Sequence, residues 1–80
     1  MLVKKRVVDT RATGQNIRKL CKNSGMTVEQ FRDAVGIESL QACYKWYRGD
    51  SLPSIDHLVT MEDIFGMSMS QIIVTNKVDL

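Results

Sequence analysis

The feature that constrains this chain most is its punctuation. Gly25, Gly36, Gly49 and Gly66 each close an apolar-periodic segment, and a residue able to cap a helix follows each stop: Thr27, Ser39, Ser54 and Ser68. Glycine takes most easily the left-handed conformation in which helices end, and a Ser or Thr hydroxyl accepts from the otherwise unbonded N–H groups of the next first turn. The chain is thereby cut into short amphipathic helices. Its 80 residues make one domain, because a chain of this length cannot divide its apolar surface between two cores and still offset the entropy of folding.

The first helical pattern begins after Thr13 or Gly14, carries Ile17, Leu20 and Cys21 on one face, and stops at Ser24-Gly25. Thr27 with Gln30 three residues on reads as a capping box before Val28, Phe31 and Val35, and Ser68 with Gln71 repeats it before Met69, Ile72 and Ile73. In the segment between Ser39 and Gly49, at about 100° per residue, Leu40, Cys43, Trp46 and Tyr47 fall on one side and Gln41, Tyr44, Lys45 and Arg48 on the other. One side is core and the other faces outward. Asp50-Ser51-Leu52-Pro53 is a loop, since proline cannot continue a helix, and Ile55, Leu58, Val59, Met61 and Phe65 give the fourth helix its apolar contacts. The spacing predicts helices over 14–24, 28–35, 39–48, 54–65 and 69–73, with no convincing strand. The expected fold is all-α: a compact five-helix domain over 13–74, a basic N-terminal arm over 1–12 and a flexible tail over 75–80.

A hydrophobic content of 44% with 25% charged residues is that of an ordinary globular protein, outside the disordered, collagen-like and membrane classes. The opening Met1-Leu2-Val3-Lys4-Lys5-Arg6-Val7-Val8 lacks the apolar stretch and cleavage site of a secretory signal, so a cytoplasmic location is expected. Cys21 and Cys43 lie inside helical patterns without CxxC spacing and read as core residues rather than as a disulfide or metal ligands. His57 is the sole histidine, expected on an exposed turn of the fourth helix with no second ligand or nucleophile beside it. No metal, cofactor or small-molecule ligand is expected, and no enzymatic activity. The net charge of +2 is small but unevenly spread. Residues 1–23 hold seven basic side chains against Asp9, while the remainder holds four against eight acids. That N-terminal excess suits phosphate, and it equally suits a solvated tail before a surface helix.

Two short helices joined by a tight turn, the second apolar inside and polar outside, can push side chains into a groove; the major groove of B-DNA, about 12 Å wide, admits a helix and presents a distinctive donor and acceptor pattern. The run from Thr13 to Ile73 resembles the Cro and phage-repressor type of helix-turn-helix regulator, the XRE-like family of bacteria and phages with its lambda-repressor-like fold. The residues that carry the match are Asn16-Ile17-Arg18-Lys19-Leu20, Gly25-Met26-Thr27, Phe31, Gly36-Ile37, Lys45-Trp46-Tyr47-Arg48-Gly49, Leu52-Pro53-Ser54 and Phe65-Gly66-Met67-Ser68. The resemblance implies sequence-specific binding of double-stranded DNA by a transcriptional regulator, a repressor by that analogy. It makes 39–48 the recognition helix and puts the base-reading positions on Gln41 and Lys45, with Tyr44 beside them. Gln can bond an adenine edge twice and Lys can donate to guanine. Phosphate contacts are expected from Ser39, Arg48, Ser51 and Ser54, with arm contacts from Lys4, Lys5 and Arg6.

Several positions depart from that family. Its common buried Arg and Glu, late in the first and third helices, are replaced here by Cys21 and Tyr47, which are expected to pack together. The turn in Glu38-Ser39-Leu40 is one residue longer than usual, Arg32 and Glu62 stand where small residues are common, Val28 replaces a polar residue, and Asp50 would repel phosphate. Modest affinity per subunit follows, commonly overcome by a homodimer reading two half-sites. Met67, Met69, Ile73 and Val74 are the residues expected either to form that contact or to finish the core. The alternative function is a protein-interaction module, antitoxin-like or a regulatory subunit, that has kept the fold with little DNA affinity.

Overall fold

The stops read from the sequence are where the chain turns. The structure, a computed structural model, describes residues 4–79; Met1–Val3 and Leu80, the outer ends of the expected arm and tail, lie outside the described residues. In chain order the elements are β1 (Lys4–Val8), α1 (Thr10–Asn23), α2 (Val28–Val35), α3 (Leu40–Arg48), α4 (Ile55–Phe65), α5 (Met69–Ile72) and β2 (Thr75–Asp79).

The helices begin on their capping side chains. In the capping box of α2, the Thr27 hydroxyl accepts from Gln30 N at 3.1 Å and the Gln30 amide accepts from Thr27 N at 2.9 Å. The Ser39 hydroxyl accepts from Gln41 N at 3.1 Å, opening α3. Helices α2, α3 and α4 stop at Gly36, Gly49 and Gly66 in the left-handed conformation. Glu62, where a small residue was the norm, accepts from Met69 N at 2.7 Å and so supplies an anion to the start of α5. Arg32 is half-buried along its stem, and its Nε reaches Asp33 at 3.1 Å, so its charged end does escape the α2 packing.

The all-α expectation is corrected by β1 and β2, which pair antiparallel with Lys4 opposite Asp79 and Val8 opposite Thr75. The arm and the tail are therefore one ribbon over the described residues. Neither strand is apolar enough to alternate visibly, and partners at opposite ends of the chain leave no hairpin turn to read. The ribbon is rooted in the helical body: Asp9 N donates to Val74 O at 2.8 Å, and the buried Thr13 hydroxyl accepts from Val74 N at 2.9 Å. Helix α1 also starts a turn earlier than expected. Asp9 caps it by accepting from Ala12 N at 2.9 Å and receives a second bond from Asn76 of β2 at 3.0 Å. Those two hydrogen bonds favour the ionised carboxylate and hold Asp9 below the usual carboxylate value.

The core is centred on Phe31, fully buried, which meets Trp46 edge-on at 6.3 Å and stacks on Tyr47 at 6.1 Å and on Phe65 at 6.0 Å. One ring thus ties α2 to α3 and α4. Ile17, Cys43, Met61 and Ile72 fill the rest from four other helices. In α4 the inward residues are Leu58 and Met61, with Phe65 packed behind them, whereas Ile55 and Val59 are 72% and 48% exposed. This corrects the expectation that all five were core. Residues 55 and 59 lie one turn apart, outside the arc covered by positions 58, 61 and 65.

The tightest contact is between α1 and α3. A Cβ on Gly14 would collide with the Trp46 carbonyl oxygen and stand 2.9 Å from that of Tyr47. Alanine in mid-helix normally gains about 0.5–1 kcal/mol over glycine, but overpacking against a backbone costs roughly 1–3 kcal/mol or more. The clash should win. Gly14→Ala is expected to lower thermal stability by about 2 kcal/mol, or on the order of 10 °C in Tm, measured by circular dichroism melting; an unchanged or raised Tm would contradict this packing.

Candidate nucleic-acid interface

The helix α3 separates its residues as its sequence dictates. Cys43 and Trp46 are buried at 0% and 5% exposure, while Gln41, Tyr44, Lys45 and Arg48 are exposed. Spaced at i, i+3, i+4 and i+7, those four share one outward face. Tyr47 lies at the boundary: half-buried, it stacks on Phe31 inside and meets Tyr44 edge-on at 6.2 Å outside.

The other expected contact residues are more dispersed. Ser39 sits at the N-terminus of α3 with its hydroxyl occupied by the cap, and Ser51 is exposed in the loop after Gly49. At the start of α4 the Ser54 hydroxyl bonds His57 Nδ1 at 3.0 Å and accepts from His57 N at 3.3 Å. His57 is half-buried, its ring 5.3 Å from that of Trp46. His57, expected as a satisfied histidine on an exposed turn, has its partner in Ser54, but it is half-buried and braces α4 against α3. Lys4, Lys5 and Arg6 are exposed on the ribbon, with Arg6 donating to Thr75 Oγ1 at 3.0 Å and Lys4 3.7 Å from Asp79.

The structure adds a surface that the linear pattern did not assign. Arg11, Gln15, Arg18 and Lys22 follow one another at i, i+4, i+7 and i+11 along α1, beside the outward face of α3. Two adjoining hollows share Arg18, Lys22, Tyr47 and Arg48 and so form one trough between the helices. At one end its floor is apolar, made by Cys21, Met26 and Val28; towards the other it holds five cations and the single carboxylate of Asp50. The N-terminal excess of charge was visible in the sequence. Its concentration on one stripe could have been found by projecting residues 11–22 on a helix, had the start of α1 been recognised.

Arg48 and Asp50 form an ion pair at 2.9 Å, both exposed. The acid beside the outward face of α3 is therefore directed at a cation of that same face. Cys21 and Tyr47, in place of the family's buried ion pair, do meet: both line the same hollow between α1 and α3, and burial, with the Cys21 thiol close by, pushes Tyr47 well above the usual tyrosine range. Burial likewise pushes both Cys21 and Cys43 up, so neither thiol is poised as a thiolate. Among the described residues no three His, Cys, Asp or Glu side chains gather as a metal site, and no helix is long and apolar enough to cross a membrane.

Of the residues expected for a symmetric contact, Met67, Met69 and Ile73 pack against the protein's own core, and Val74 is half-buried beside Thr13. The apolar groups left exposed include Leu52 in the loop before α4, Ile55 and Val59 on α4, and Val8 and Val78 on the ribbon.

Comparison with known proteins agrees with this architecture. The restriction-modification controller protein C.AhdI from Aeromonas hydrophila superposes with a TM-score of 0.71 at 17% identity, over 80% of this chain and 96% of that one. A transcriptional regulator from Listeria innocua superposes with a TM-score of 0.70 at 18% identity, over 76% of this chain and 56% of that one. No curated protein matches the chain in sequence. A helix-turn-helix family model matches residues 17–72, from the middle of α1 to the end of α5, leaving both strands of the ribbon outside it. With that match over more than half its length, the chain belongs to the XRE-type helix-turn-helix family.

Proposed function

We propose that the protein is a sequence-specific DNA-binding regulator that lays α3 in the major groove and acts as a repressor by occupying its operator. The observation that carries this reading is the outward face of α3: Gln41, Tyr44, Lys45 and Arg48 stand clear of the body while Cys43 and Trp46 anchor the helix rigidly beneath them. Gln41 and Lys45 have the chemistry to read adenine and guanine edges, and Tyr44 offers a ring and a hydroxyl between them. Arg48, Ser39, Ser51 and the N-terminus of α4 at Ser54 are suited to phosphate, setting register rather than sequence. On the ribbon, Lys4, Lys5 and Arg6 are exposed and suited to the flanking backbone, Lys4 and Arg6 exchanging their partners Asp79 and Thr75 for phosphate.

The same reading takes the protein as a homodimer, because two half-sites about 34 Å apart are contacted by paired recognition helices. Leu52, Ile55 and Val59, exposed in the loop before α4 and on α4, are its supporting feature, since a twofold contact there would cover them.

Selection from a random duplex pool, followed by anisotropy titration of the recovered site, tests the whole proposal. Lys45→Ala should weaken binding by ~10-fold or more, and Gln41→Ala should relax preference at one base pair. If both leave affinity and selectivity untouched, the assigned face is wrong, and absence of DNA binding even at low salt would support the protein-interaction module instead.

Asp50→Asn should raise affinity about fivefold at low salt, since Arg48 is released from its carboxylate and a charge facing phosphate is removed. No gain would show that this acid lies away from the DNA.

For the dimer, Ile55→Lys should give a monomer in sedimentation equilibrium that keeps the wild-type circular dichroism spectrum, because that side chain is 72% exposed in the single chain. A wild-type protein that is itself monomeric on its two-half-site operator would remove the dimer from the proposal.

A further inference from the structure

We infer that one sugar-phosphate strand of the DNA lies in the trough between α1 and α3, held by Arg18 and Lys22 together with Arg48. This rests on the DNA-binding reading and assigns to α1 a role in it that the recognition motif does not carry. Arg18 and Lys22 are one helical turn apart, so their side chains leave α1 in parallel about 6 Å from each other. Both are exposed, and among the described residues neither enters an ion pair, whereas Lys4, Arg32 and Arg48 each do. Two cations held side by side without a counterion repel each other, and an anion between them relieves that repulsion.

The remainder of the trough says which anion. Its floor at Cys21, Met26 and Val28 has no charged group to offer, and the Tyr44 and Tyr47 rings wall it from the side of α3. A phosphodiester strand alternates anionic phosphate with an apolar sugar face, and both halves find a counterpart here. The trough runs on past Arg18 towards Arg11, so it suits an extended chain better than a single small anion. It is also lined by Arg48 and Tyr44, which belong to the outward face of α3. A strand lying in it is therefore the backbone bordering the groove that α3 enters. Register is set from both sides: α3 is fixed to α1 at Gly14, so phosphates gripped by α1 position the recognition helix without any flexible link between them.

The test is a salt titration of binding to a fluorescein-labelled pool of random-sequence duplexes, followed by anisotropy. Each phosphate neutralised contributes about −0.9 to the slope of log affinity against log salt. Arg18→Gln and Lys22→Gln should each reduce the slope by about 0.9 and the double variant by about 1.8, with affinity at ~0.15 M salt falling on the order of tenfold. Arg18→Lys should keep the wild-type slope. Arg32→Gln, which removes the same charge from α2 where it is paired with Asp33, should leave the slope unaltered. Circular dichroism of each variant separates lost contacts from lost folding. If the chain binds the pool but the Arg18 and Lys22 variants track Arg32→Gln, the trough does not hold the backbone, and the α3 reading survives. If the wild-type chain fails to bind the pool even at low salt, the DNA-binding reading falls and this inference with it.

Discussion

Helix α1 lies as close to α3 as it does because residue 14 has no side chain. The carbonyl groups of Trp46 and Tyr47 occupy the space a Cβ would need. A second contact of the same kind closes the end of α3, where Gly49, left-handed with a φ of 79°, backs onto the Cα of Arg11. Two backbone-to-backbone approaches along one pair of helices leave little freedom to slide or tilt. Everything on the outer face inherits that rigidity. The backbone beneath the outward residues of α3 is thereby fixed relative to the backbone that carries the cations of α1.

The same helix organises the opposite end of the molecule. Thr13 exchanges hydrogen bonds with both backbone groups of Val74, and the Asn16 amide donates to the carbonyl oxygens of Gln71 at 3.1 Å and Ile72 at 2.9 Å. These bonds satisfy the end of α5, which is too short to be stable alone. They also deliver β2 alongside β1, where Asp9 and Asn76 complete the junction. A two-stranded ribbon with nearly all its side chains in water is marginal by itself. Here it is the continuation of contacts already made inside the helical body.

Much of this was legible in the chain. Helices announce themselves through caps, left-handed stops and a 3.6-residue apolar period, all of which involve residues a few positions apart. Hence α2, α3 and α4 appear where Thr27, Ser39 and Ser54 imply, and the two faces of α3 divide as drawn. The polar first turn of α1, Thr10-Arg11-Ala12-Thr13, has no apolar period to announce it, and its cap Asp9 is stabilised in part from β2. The arm and tail were misread for the related reason that a strand is completed by its partner, and these partners are separated by the whole domain. Ile55 and Val59 carried an apolar signal with no core to receive it.

What the sequence determined alone was the set of helices, the membership of α3's outward face, and the sign of the charge near the N-terminus, because each depends on composition and spacing along one stretch of chain. The tertiary structure decided which cations stand beside that face and that the two ends of the chain are one ribbon. Those are relations between residues far apart in sequence. The first arises when α1 and α3 are brought into contact at Gly14 and the second when β1 pairs with β2, and no periodicity along the chain encodes either.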